Sequence, residues 1–186
     1  MLKVVHLVTA ERSAPTAEKP AVHLVVMGVA GSGKSAIAQR VALMLGVEFI
    51  EGDDFHPEAN RAKMAQGQPL NDADRMGWLT DLAQELIMRP EGAVLACSAL
   101  KRAYRDRLRS GPAGLRFVHL DIPQAESQRR VAARQDHFYP PSLVASQFEA
   151  LQDPGGEPGV LVLAGDASLQ ALTAQAVGWI DSTMRN

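Results

Sequence analysis

The chain has 186 residues, of which 46% are hydrophobic, 22% charged and 5% aromatic; that balance excludes a disordered chain and suffices to bury one core without disulfides. Lys and Arg number 19 against 21 Asp and Glu, a formal charge of −2, which excludes the dominant basic field of a nucleic-acid binder, so no nucleic-acid partner is expected. Cys97 is the single cysteine and no run of 18 apolar residues is present, so the chain reads as a soluble protein of a reducing, cytoplasmic compartment without a membrane partner.

Residues 1–21 join a short apolar run (Val4, Val5, Leu7, Val8), broken by His6, to a polar stretch containing Pro15 and Pro20. The run is too short and interrupted for a signal peptide, and the segment reads as a flexible N-terminal extension ahead of a single domain over 22–186. From Val22 the texture changes to short apolar runs alternating with amphipathic stretches. The pattern predicts strands over 22–27, 47–50, 93–97, 115–120 and 160–163, and helices over 35–45, 58–65, 72–88, 101–109, 123–134, 143–151 and 168–184. Strands interleaved with helices predict an α/β three-layer fold, a five-stranded parallel sheet with right-handed crossovers, whose ligand sits beyond the carboxyl ends of the strands.

Gly28-Val29-Ala30-Gly31-Ser32-Gly33-Lys34-Ser35 fits G-x-x-x-x-G-K-[ST] and lies directly between the first predicted strand and the first predicted helix, the two flanks that this phosphate-binding loop requires. Its glycines let successive N–H groups turn toward phosphate oxygens, Lys34 reaches the β- and γ-phosphates, and the Ser35 hydroxyl is the candidate Mg²⁺ ligand. The rival dinucleotide fingerprint fails, since Ala36 stands where its third glycine would be. ATP with Mg²⁺ is the expected cofactor.

A guanine-specific Asn-Lys-x-Asp motif is missing, and the third strand ends in Cys97-Ser98 instead of the usual metal-binding Asp. Glu51, Asp53 and Asp54, just past the second strand, offer replacement carboxylates, and Asp53 is the candidate to orient or deprotonate an acceptor hydroxyl. Such an arrangement, with cations for acceptor and phosphoryl group and a lid against water, is what a small-molecule kinase needs. Lys101, Arg102, Arg105, Arg107 and Arg109 crowd one predicted helix, and Arg129, Arg130 and Arg134 crowd another just before His137. The second group lies where a lid, near 130–142, would carry Arg130 and Arg134 over the phosphates. A solvated basic face is the alternative for both.

The chain from Val22 onward resembles the gluconokinase family, P-loop kinases that phosphorylate D-gluconate at O6. The resemblance rests on Gly28 to Ser35, Gly52-Asp53-Asp54-Phe55-His56-Pro57, Asn60 with Lys63-Met64, Pro69-Leu70-Asn71-Asp72-x-Asp74-Arg75-x-x-Trp78-Leu79, Cys97-Ser98-Ala99-Leu100-Lys101-x-x-Tyr104-Arg105-Asp106, Arg134-x-x-His137-Phe138, and Gln147-Phe148-Glu149-x-Leu151-Gln152-x-Pro154. It implies a nucleoside-monophosphate-kinase-like fold, ATP with Mg²⁺, gluconate as substrate and a homodimer. It implies further that Asp53 and His56 meet substrate hydroxyls, that Arg75 and Arg105 are candidates to grip the carboxylate, and that His137 also contacts substrate. Asp136 departs from the family pattern, in which glycine often precedes the His. Phosphorylation of another small hydroxylated acid such as shikimate, or nucleotide sensing without catalysis, stays open from the residues alone.

Overall fold

In the computed structural model, which describes residues 21–133 and 143–185, every residue of the first strand, β1 (Val22–Met27), is buried. Its side chains alternate between two cores, as the two-residue period of a strand requires. Val22, Leu24 and Val26 face one hydrophobic cluster and Val25 and Met27 the other. After β1 come α1 (Lys34–Leu45), β2 (Glu48–Glu51), a 3₁₀ turn (Gly52–Phe55), α2 (Glu58–Ala65), α3 (Asp72–Ile87), β3 (Gly92–Ala96), α4 (Arg102–Arg109), β4 (Arg116–Asp121), α5 (Gln124–Ala132), α6 (Val144–Ala150), β5 (Val160–Ala164) and α7 (Leu169–Met184). Each predicted element forms, with ends shifted by one or two residues.

The sheet is parallel throughout, in the order β2-β3-β1-β4-β5. Helices α1 and α7 cover one face, with Ile37, Val41, Leu172, Ala176 and Ile180 packed against Val94, Val118 and Leu120. Helices α3 and α4 cover the other, with Trp78, Leu79, Leu82, Leu86 and Leu108 against Leu95, Cys97 and Phe117. This gives the three layers expected of a P-loop kinase fold. The chain runs from β1 to β2 on one side of β1 and crosses from β3 to β4 on the other, so a crevice opens beyond the carboxyl end of β1. The extension over 1–21 and the lid over 130–142 lie largely outside the described residues.

Two local devices fix the elements nearest that crevice. Helix α3 starts with a capping box: the Asn71 side chain accepts from the Asp74 N–H at 2.8 Å, and the Asp74 carboxylate accepts from the Asn71 N–H at 3.0 Å. At Gly52 the chain leaves β2 so close to β3 that a β-carbon would lie 2.5 Å from the Ala96 carbonyl oxygen. Neither backbone can give way without breaking the pairing. Gly52→Ala is expected to destabilise the fold by about 1–3 kcal/mol, read as a lowered urea midpoint at unchanged slope.

Candidate active site

The cleft beyond β1 is lined by Ala30, Gly31, Gly33, Lys34 and Ser35 of the phosphate loop, by Asp53 and His56 after β2, by Arg75 and Trp78 of α3, and by Ser98 and Gln147. Lys34, Ser35, Asp53, His56 and Arg75 are thus brought together although 41 positions separate the first from the last. Gly33 adopts φ +91° at the N-terminus of α1, a left-handed conformation that only glycine takes without strain. The loop is pinned from three sides. The Gly28 N–H donates to the Ser98 carbonyl at 3.3 Å, the Ser127 hydroxyl donates to the Ala30 carbonyl at 2.7 Å, and the Ala30 N–H donates to Gln147 Oε1 at 2.6 Å. Val29 and Ser32 are buried beneath it.

Past β2, His56 stacks on Trp78 with ring centroids 4.0 Å apart, and Trp78 Nε1 donates to the Gly52 carbonyl at 2.8 Å. Trp78 therefore packs α3 against the turn and fixes the plane of the imidazole. Burial pushes the His56 pKa down to about 4, against the opposing pull of Asp53, with Arg75 and Arg61 adding to the fall. His56 is a neutral imidazole at physiological pH, and its Nδ1 has no hydrogen-bond partner among the described residues. Its Nε2 lies 3.9 Å from the Asp53 carboxylate. Asp54 is exposed and stays outside the cleft lining.

Glu51, at the end of β2, is half-buried. Burial raises its pKa, with the Ser35 hydroxyl the main opposing influence and Lys34 a weaker one. One of its carboxylate oxygens is buried without a hydrogen-bond partner among the described residues. Among the described residues no group of three His, Cys, Asp or Glu side chains could hold a metal alone. Ser35 with Glu51 fits a metal that is carried in by phosphate oxygens and completed by water.

The segments most specific to the family resemblance form a scaffold around Arg75. Asn60 donates to the Asp74 carbonyl at 2.8 Å and Lys63 to the Asp74 carboxylate at 2.6 Å, joining α2 to α3. Lys101 and the Tyr104 hydroxyl both donate to Asp72, at 2.6 and 2.5 Å, joining α4 to α3. Arg75 donates to the Leu70 carbonyl and lies with its guanidinium carbon 5.7 Å from the Tyr104 ring centroid. One nitrogen is so committed, and the rest of the guanidinium borders the cleft.

Arg105 does not join it, and the expectation that it grips a substrate carboxylate is corrected. Its side chain is wholly buried. The guanidinium donates to the carbonyls of Ala99 and Leu100 at 3.1 and 2.9 Å, to that of Gln152 at 3.1 Å, and to Glu157 at 2.5 Å. These bonds hold the turn after β3, where Ala99 takes φ +44°, a conformation costly for a residue with a β-carbon. Glu157 also accepts from Arg109 at 2.8 Å, and the two arginines hold its pKa down to about 2. With Lys101 on Asp72, Arg107 on the Thr80 hydroxyl at 2.8 Å and Arg102 3.9 Å from Asp106, the basic helix is a set of paired side chains and not a field aimed at the cleft.

Arg130 lies against the phosphate loop, with Nη1 3.4 Å from the Gly31 carbonyl and Nε on Glu126 at 2.6 Å. Arg134 and His137 fall outside the described residues. Burial pushes the Cys97 thiol up to about 12, which leaves an inert core side chain. Ser98 and Gln147 carry no role in the sequence analysis; the only signal for Gln147 is its place at the head of the last matching segment.

A protein-family model described as an AAA domain matches residues 24–154. The gluconokinase of Gluconobacter oxydans (strain 621H) is 47% identical over 146 residues, 77% of this chain and 82% of the relative. The thermoresistant gluconokinase of Escherichia coli K12 is 43% identical over 157 residues, 82% and 90% of the two chains. The chain belongs to the gluconokinase family. A solved gluconokinase from Sinorhizobium meliloti 1021 superposes on this family member with a TM-score of 0.83 at 39% identity, over 90% of this chain and 96% of that one.

Two outcomes follow from the charges. Between pH 6.5 and 4 an unfolded His56 takes up a proton that the folded one refuses, so stability is full above 6.5 and falls as the pH drops toward 4. Urea unfolding from pH 7 to pH 4 should show this loss, and His56→Gln should remove about 2–3 kcal/mol of it. Arg105→Met leaves the buried carbonyls of Ala99 and Leu100 unpaired and Glu157 with Arg109 alone, and is expected to cost about 2–5 kcal/mol of stability in the same assay.

Proposed function

We propose that this gluconokinase-family chain transfers the γ-phosphoryl group of ATP to the O6 hydroxyl of D-gluconate, giving 6-phosphogluconate and ADP. The observation that carries the reading is the convergence, in one cleft, of the phosphate loop with a carboxylate, a neutral imidazole and an arginine, together with the relatives named above. The acceptor is a linear polyol with a carboxylate at one end. Asp53 accepts the hydrogen bond of the attacking hydroxyl and orients it in line with the phosphoryl group. A loose transition state needs little more from a base.

His56, neutral and fixed by Trp78, offers one donor and one acceptor to neighbouring hydroxyls. The Arg75 guanidinium takes the carboxylate at the far end. Lys34, the N-terminus of α1 and Arg130 stabilise charge on the transferring group, with Arg134 and His137 as further contributors from the segment that follows α5. Ser35, supported by Glu51, is the side chain that would hold Mg²⁺, which would supply charge neutralisation to the phosphates. A homodimer in the cytoplasm belongs to the same reading.

An ADP-release assay over gluconate, other sugar acids, shikimate and nucleoside monophosphates tests it. Turnover with gluconate well above the rest is expected, and turnover that prefers shikimate, or ATP binding without any acceptor-dependent turnover, overturns it. Lys34→Ala should lower kcat by about 10²–10³-fold with little change in gluconate KM. Arg75→Ala should instead raise gluconate KM by about 10–100-fold, the worth of hydrogen bonds to a charged group. An unchanged KM would remove Arg75 from the carboxylate.

A further inference from the structure

Gln147 sits on α6, remote in sequence from the phosphate loop, yet its side chain reaches the third residue of that loop and forms part of the cleft lining. The backbone N–H of Ala30 is only a donor, so the atom facing it at 2.6 Å must be the amide oxygen. The orientation of the amide is thereby fixed, and its NH₂ group, two donors on a half-buried side chain, has no partner among the described hydrogen bonds. The helix that carries it is held in place. Phe148, Ala150 and Leu151 pack on Val29, Leu100 and Ile122, and just beyond it the Gln152 N–H donates to the Leu100 carbonyl at 2.9 Å while Gln152 Oε1 accepts from the Arg102 N–H at 2.7 Å.

The other groups in the cleft leave a gap that this amide fills. Lys34 and Arg75 bring cationic donors, Asp53 brings acceptors, and the neutral imidazole of His56 supplies a single N–H. A polyhydroxylated acceptor presents several hydroxyl oxygens, and each needs a donor once water is expelled. We propose that Gln147 is a specificity-determining residue that donates its amide N–H to one hydroxyl oxygen of the acceptor while its carbonyl end holds the phosphate loop. The inference rests on the gluconate reading above and adds to it a named donor. The same amide then fixes the distance between donor and acceptor subsites, because one end belongs to each.

Two variants separate the halves of this role. Gln147→Glu keeps an oxygen for the Ala30 N–H but has no NH₂ to give, and Gln147→Leu has neither. Because one variant frees the phosphate loop and the other adds a negative charge beside it, both are assayed at saturating ATP, where nucleotide affinity drops out of the comparison between acceptors. Both should lose about tenfold in kcat/KM for gluconate, the worth of one buried hydrogen bond.

Against a series of monodeoxygluconates, the gap between wild type and Gln147→Leu should close for the single analogue that lacks the hydroxyl in question and persist for the others. Wild-type kcat/KM in Gln147→Glu, or an equal loss on gluconate and every deoxy analogue at saturating ATP, would each overturn the role given to Gln147. Wild-type protein that turns over no gluconate at all overturns instead the underlying reading of the function.

Discussion

The turn from β1 into α1 sets the position of everything else in the cleft. β1 is hydrogen-bonded along both edges, to β3 and to β4, so its carboxyl end cannot drift. The residues that follow are then held by Ser98 from the end of β3, Ser127 from α5 and Gln147 from α6. An anion site made of backbone amides is only as good as the rigidity of that backbone, since the amides must face the phosphate before it arrives. Each pinning residue comes from a different part of the chain, so the loop reports on the assembly of the whole sheet.

Around this fixed point the protein places its charges unevenly. The basic residues of α4 are used to tie the fold together: Arg105 and Arg109 on Glu157, Lys101 on Asp72, Arg107 on Thr80. A buried guanidinium with every donor occupied cannot also meet a substrate, because turning away would leave the Ala99 and Leu100 carbonyls unpaired in the interior. The cleft keeps Lys34 and Arg75 instead. Among the described residues the cations of α4 are thus paired within the fold.

Burial also decides the protonation of the groups after β2. His56 is stacked on Trp78 and stays neutral, whereas Glu51 is pushed toward protonation and has no hydrogen-bond partner for one oxygen among the described residues. The first makes a hydrogen-bonding group of a side chain that would otherwise titrate near neutrality. The second places a carboxylate of raised pKa beside the hydroxyl of the phosphate loop. The first effect belongs to the packing of α3 against the turn at Gly52.

The sequence by itself determined the order and kind of the secondary elements, because alternation, helical spacing and the position of Pro and Gly are local properties of the chain. It also determined the phosphate loop, whose function resides in eight consecutive residues with defined flanks, and the gluconokinase resemblance, whose matching segments are spread from Gly28 to Pro154. Tertiary structure alone decided which cations are free. Arg75 and Arg105 look alike as charged residues in matching segments, yet one borders the cleft and the other is sealed against Glu157, a partner 52 positions away. Likewise Gln147 acquires its place only when α6 docks on Val29, Leu100 and Ile122, and the neutrality of His56 only when Trp78 covers it. Burial and pairing join residues that are distant in the chain, and local sequence does not record which distant atoms will meet.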